Sequence, residues 1–150
     1  MKYLDLLGRR LKDDFINDLF ETYDVEVIYD YDRNHENMPD RYRAEIPDLG
    51  LEFVFDENQI FLTLFIDQKE IQKWNPFQDD QARLKKFSSK SSAREFAKEN
   101  EISVTEGKAE FMGTESDWIR FDFPAYSIHY GFVSGILKKL TIQNKNEPNQ

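Results

Sequence analysis

Two histidines, His35 and His129, are the only side chains in this 150-residue sequence that ordinarily change charge near neutral pH. His35 lies between Asn34 and Glu36 and reads as a solvated loop residue. His129 falls in an alternating stretch, on the face opposite Ile128 and Tyr130. There it could act as a general base with Asp122 or Glu115 as its carboxylate partner, although a surface histidine fits the same pattern. The sequence has no cysteine, which excludes thiolate chemistry, disulfides and cysteine-ligated zinc and fits a reducing cytoplasm. It carries no Gly-rich phosphate loop, no nucleophile elbow and no His-Glu-x-x-His helix. Asp30, Asp32 and Glu36 are close enough to suggest a calcium loop, but the central glycine and closing glutamate of an EF-hand are missing. The residue types therefore point to no catalytic centre, no metal and no cofactor, and turn attention to binding.

Charge says what could be bound. The net charge is −9, and it is unevenly spread. Asp13 to Glu57 holds fifteen Asp or Glu against three Arg, a net of −12, whereas Lys69 to Lys98 holds eight bases against four acids, a net of +4. An acidic first half disfavours direct contact with nucleic acid, which needs a basic footprint, and favours a basic protein partner. The opening Met1-Lys2-Tyr3-Leu4-Asp5 places an acid where a signal peptide needs apolar residues, and no run approaches the ~20 apolar residues of a membrane span. The expectation is a soluble cytoplasmic protein with no membrane contact. Its oligomeric state is left open.

The elements that must position these residues follow from periodicity. Leu11, Phe15, Ile16, Leu19, Phe20 and Tyr23 have helical spacing, with Asp13 and Asp14 near the start. Val25, Val27, Tyr29 and Tyr31 alternate with Glu26, Asp30 and Asp32, with Ile28 breaking the polar side, and predict a strand with one wet face. Arg41 to Ile46, Leu49 to Phe55 and Gln59 to Ile66 predict three more, the last apolar on both sides. Ser92 followed by Glu95 predicts a capping box at the start of a second helix, with Ala93, Phe96 and Ala97 facing the core. Ile102 to Met112, Asp117 to Phe123, Tyr126 to Phe132 and Gly135 to Ile142 predict a second set of strands.

The two sets are one unit written twice. Displaced by 77 positions, Arg43-Ala-Glu-Ile-Pro47 falls on Arg120-Phe-Asp-Phe-Pro124, Ile16, Leu19 and Phe20 fall on Ala93, Phe96 and Ala97, and Phe53 and Phe55 fall on Tyr130 and Phe132. One residue is lost at a turn, Asp56-Glu57-Asn58-Gln59 against Val133-Ser134-Gly135. The fold expected is α+β: a tandem repeat of one helix plus a four-stranded antiparallel meander, with the helices on one side of the sheet. It is a single domain, 1–150, with repeat one over about 11–66, a basic linker over 67–90, repeat two over about 91–142 and a polar tail over 143–150. The core should hold Phe53, Phe55, Ile60, Leu64, Phe123, Ile128, Tyr130, Phe132, Ile136 and Leu140. The uncovered face should hold Arg43, Glu45, Glu52, Arg120, Asp122, Ser127 and His129, rimmed by Tyr29, Tyr31, Tyr42, Trp74 and Trp118.

The chain resembles a family. Leu7-Gly8-Arg9, the stretch from Ile46 to Asp56, Phe87-Ser-Ser-Lys-Ser-Ser-Ala-Arg94 and Tyr126-Ser-Ile-His-Tyr130 are similar to small acidic bacterial immunity proteins. These are encoded beside polymorphic or contact-dependent growth-inhibition toxins. The resemblance implies a non-catalytic protein that binds and blocks a cognate toxin, in many cases a nuclease domain with a basic cleft. Combined with the charge, it makes Asp30, Tyr31, Asp32, Glu36, Asp40 and Glu57 the candidate contacts. The alternatives are an acidic nucleic-acid mimic that binds a DNA- or RNA-binding protein, and a small enzyme centred on His129.

Overall fold

The two helices among the described residues begin on side chains that satisfy their first amides. In the computed structural model, which describes residues 6–30, 40–47, 50–67 and 87–145, α1 spans Asp14–Thr22 and is capped by Asp13, whose carboxylate accepts from the Phe15 amide at 3.0 Å. The second helix, α2, spans Lys90–Glu99. Its N-cap is Ser89, which exchanges hydrogen bonds with Ser92. The capping box thus lies three residues earlier than the Ser92–Glu95 spacing suggested, because a serine at the third helical position returns the bond as well as a glutamate would.

The helices end in the same way, residue for residue. Asp24 (φ 53°) and Glu101 (φ 55°) are both left-handed. Val25 N–H then closes on Phe20 O at 2.9 Å, and Ile102 N–H on Ala97 O at 2.8 Å. A left-handed residue that lets later amides turn back onto the last helical carbonyls is a standard helix stop.

After α1 come β1 (Val27–Asp30), β2 (Arg41–Ile46), β3 (Leu51–Phe55) and β4 (Phe61–Asp67). After α2 come β5 (Ser103–Phe111), β6 (Thr114–Asp122), β7 (Tyr126–Val133) and β8 (Ile136–Asn144). They form one antiparallel sheet in the order β1-β2-β3-β4-β8-β7-β6-β5. Helix followed by meander therefore occurs twice, and the two meanders join through their last strands. Val27 pairs with Ala44 as Val104 pairs with Phe121, a shift of 77 throughout. Leu51 pairs with Ile66 as Ile128 pairs with Ile142. The joining ladder is symmetric: Thr63 faces Gln143, Asp67 faces Lys139, and Phe65 faces Thr141 at the centre. A pseudo-two-fold axis thus passes through the sheet between Phe65 and Thr141.

The halves differ at one hinge. Ala44 pairs with Phe53, but Phe121 pairs with Ile128, the counterpart of Leu51. The β6–β7 hairpin has slipped by two residues relative to β2–β3, and an even slip keeps every side chain on its own face.

A bulge recurs in both halves, between Val54 and Phe55 and between Gly131 and Phe132. Each lets the facing strand carry one extra residue, so its alternation changes phase. Phe61 and Leu137 consequently enter the core, where strict alternation placed Ile60 and Ile136; Ile136 is 54% exposed and Ile60 half-buried. Phe53, Phe55, Leu64, Ile128, Tyr130, Phe132 and Leu140 are buried as expected, and Phe123 packs against them partly buried.

One continuous core lies between the sheet and both helices. Phe20 of α1 meets Phe53 and Phe55 edge-on, with centroids 5.4 and 6.2 Å apart. Its counterpart in α2 is the small Ala97, and Phe87 supplies the missing bulk against Phe121 and Tyr130, at 5.7 and 5.2 Å. Phe15, although in phase with the apolar stripe, is 65% exposed and lies under the Arg9 guanidinium. Strand β8 continues to Asn144, two residues beyond its expected end at Ile142. No helix among the described residues is long and apolar enough to cross a membrane.

Candidate functional site

The face of the sheet away from the helices is organised in rows by the strand register. One row reads Ile28, Arg43, Val54, Thr63, Gln143, Ser127, Asp122, Ser103. The next reads Glu45, Glu52, Phe65, Thr141, His129, Arg120, Thr105. The residues expected on the uncovered face, Arg43, Glu45, Glu52, Arg120, Asp122, Ser127 and His129, all lie there.

The Arg-x-acid pair does the same work in each half. Arg43 donates to Glu45 at 2.8 Å, and Arg120 donates to Asp122 at 2.7 Å. Arg43 also reaches Asp30 at 3.2 Å and Glu52 at 3.9 Å. Burial works against charge at Asp122, but hydrogen bonds from Thr105 and Arg120, with Lys145 nearby, hold its carboxyl below the usual carboxylate range.

The dyad relates geometry but not charge. Glu52 in one half is matched by His129 in the other, Asp67 by Gln143 and Thr63 by Lys139. The first half of the face is left acidic and the second mildly basic. Between them is a shallow depression of about 240 Å³ walled by Glu45, Glu52 and Asp67, with Phe65 beside it under the Lys139 ammonium at 4.4 Å.

His129 stacks on Trp118, with centroids 5.1 Å apart, and Trp118 lies flat over Gly107 of the neighbouring strand. A Cβ at Gly107 would sit 2.6 Å from the indole. Trp118 therefore stands mid-strand on the uncovered face. Glycine opposite tryptophan in a predicted strand pair is the sequence signal that could have revealed this platform. Burial, then the positive charge of Arg120, depress the His129 pKa and keep the imidazole neutral. Among the described residues no carboxylate hydrogen-bonds His129. Asp122 is engaged by Arg120, Thr105 and Lys145, and Glu115 lies near the far hairpin beside Lys108.

Of the six candidate contacts, Asp30, Asp40 and Glu57 are described; Tyr31, Asp32 and Glu36 lie outside the described residues, as do His35 and Trp74. The three are brought to one corner of the sheet, but not to one face. Asp30 turns toward Arg43 on the uncovered face. Asp40 accepts from the Tyr29 hydroxyl at 2.6 Å, on the face that Tyr29 shares with Tyr42. Glu57 occupies the β3–β4 turn nearby, close enough for its charge to act on Tyr29. Tyr29 itself stacks on Tyr42, with centroids 4.9 Å apart, and remains 49% exposed. The described aromatics at this corner are thus Tyr29 and Tyr42.

The bond to Asp40, reinforced by the charges of Asp40 and Glu57, pushes the Tyr29 hydroxyl up to about 12. Spectrophotometric titration should show one tyrosine ionising about two units above the ordinary value near 10, and Asp40→Asn should bring it back toward that value. A wild-type titration with no such late tyrosine would mean that the bond is not held in solution.

No protein-family model matches the chain, and no curated protein or solved structure shows significant similarity to it.

Proposed function

We propose that the chain is a non-catalytic immunity protein that binds a cognate bacterial toxin, a basic nuclease domain, and blocks it. The observation that carries this reading is the corner formed by Tyr29, Tyr42, Asp30, Asp40 and Glu57: an exposed aromatic, fixed by a stacking neighbour and a 2.6 Å hydrogen bond to Asp40, with the charge of Glu57 nearby and Asp30 on the opposite face of the same edge. A nuclease cleft is lined by cations that bind phosphates. Carboxylates on a rigid frame can satisfy the same cations, and an aromatic already held in place loses little entropy on docking. The acidic lining continues across the uncovered face through Glu45, Glu52 and Asp67. The neutral His129, without a carboxylate partner among the described residues, gives less support to the enzyme reading.

The test is titration of the purified chain into the basic toxin domain encoded beside it, with nuclease activity as the readout. Activity should fall to zero at a fixed stoichiometry. Absence of binding to that neighbour would sink the proposal. Comparable binding to several unrelated basic proteins would replace it with the nucleic-acid mimic.

A further inference from the structure

Among the described residues the sheet ends in β1 on one side and β5 on the other. Strand β5 runs nine residues without a bulge and, among the described residues, is paired only on its β6 side. Its hairpin turns through Met112 (φ 50°) and Gly113 (φ 81°), a two-residue loop with both residues left-handed, so Phe111 and Thr114 form a hydrogen-bonded pair. Counting back by twos, Ala109, Gly107, Thr105 and Ser103 spend their backbone groups on β6. Val104, Glu106, Lys108 and Glu110 aim theirs outward, and among the described residues no backbone group meets them. Ser103 to Glu110 is exposed throughout except at Gly107. At Glu106, Arg94 holds the side chain at 2.6 and 2.9 Å and leaves it 29% exposed, while the residue as a whole is exposed.

A long, regular edge strand invites another strand. We propose that β5 pairs with β5 of a second copy, antiparallel, about a two-fold axis through Gly107. This register joins outward residues only to outward residues. It sets Glu106 opposite Lys108 of the second copy, Lys108 opposite Glu106, and Val104 opposite Glu110. Moving the axis to residue 106 or 108 would place Glu106 against Glu106, or Lys108 against Lys108, and like charges directly opposite are disfavoured. The order Glu-x-Lys is its own complement when reversed, which is why the occupant is a second copy and not an unrelated strand.

The other face of the strand supports the same axis. Gly107 lies beneath Trp118, so the axis would bring two indoles together over a pair of glycines and withdraw apolar surface that a single edge leaves wet. The product is one continuous sheet across both copies. The acidic corner lies at its far ends, so a toxin contact there and this pairing are independent.

Two measurements test it. Sedimentation of the full chain from micromolar to near-millimolar concentration should show a dimer, and Lys108→Pro should return it to monomer, because that proline removes an outward amide and no bond to β6. The native sequence is free of cysteine, so Thr105→Cys and Ala109→Cys can be made as separate proteins. These positions oppose each other in the close, non-hydrogen-bonded sites, with Cα atoms about 4.5 Å apart, within disulfide reach. A mixture should cross-link under mild oxidation, and neither protein alone should do so. If Lys108→Pro fails to fold, the cysteine pair decides. A chain that stays monomeric at every concentration, or a mixture that cross-links no better than its components, overturns the proposal.

Discussion

Phe132→Ala lowers the free energy of unfolding by about 3–5 kcal/mol, through lost transfer energy plus the cavity left behind. Phe132 is 1% exposed and lies beside the second bulge, where Leu137 and not Ile136 meets it across the ladder. Ile136→Ala, at the same hairpin but 54% exposed, should change stability by less than about 0.5 kcal/mol. A urea melt of each variant, with an unchanged m-value, makes the comparison. A loss below about 1 kcal/mol for Phe132→Ala would place that ring outside the core. The contrast between the two residues tests the bulge itself, because strict alternation predicts that both matter.

That pair also marks where the sequence stopped being legible. Helix–meander repetition could be read because it rests on side-chain type at fixed separation: Arg43 and Arg120 each have an acid two residues on, and each makes the same bond. Bulges leave no such trace. Ile60-Phe61-Leu62-Thr63-Leu64-Phe65-Ile66 is apolar on both sides partly because the strand changes phase within it, and composition cannot say where. The two-residue slip between hairpins was hidden for the opposite reason: it moves nothing from one face to the other. At the candidate site, charge identified the acidic half, but not that Asp30 and Asp40 serve different faces. That depends on the β1–β2 register, which sets Tyr29 opposite Tyr42 and Asp30 opposite Arg41, and on the Tyr29 hydroxyl capturing Asp40. The 77-residue shift already sets Glu52 on His129; what it does not give is the joining of β4 to β8, which brings the acidic and the mildly basic halves into one face about the dyad.

Reversing Asp30, Asp40 and Glu57 to Lys slows association with the toxin domain by about tenfold or more at low salt, within the range of 10–10³ that steering supplies. Each reversal adds two charges, so the chain moves from −9 to −3, and the change is concentrated at one corner. The effect should shrink as salt rises, because the Debye length falls to about 8 Å at physiological ionic strength. The three positions should not contribute alike. Asp30 and Glu57 are rim charges; Arg43 keeps Glu45 and Glu52 when Asp30 is lost, so these two changes should act on the on-rate alone. Asp40 also fixes Tyr29. Asp40→Asn should therefore raise the off-rate as well, in step with the fall in the Tyr29 pKa, whereas Glu57→Gln should leave the off-rate unchanged. Unchanged affinity and an unchanged salt slope in the triple variant would remove this corner from the mechanism. An off-rate indifferent to Asp40 would leave steering in place but show that the tyrosine is not the anchor.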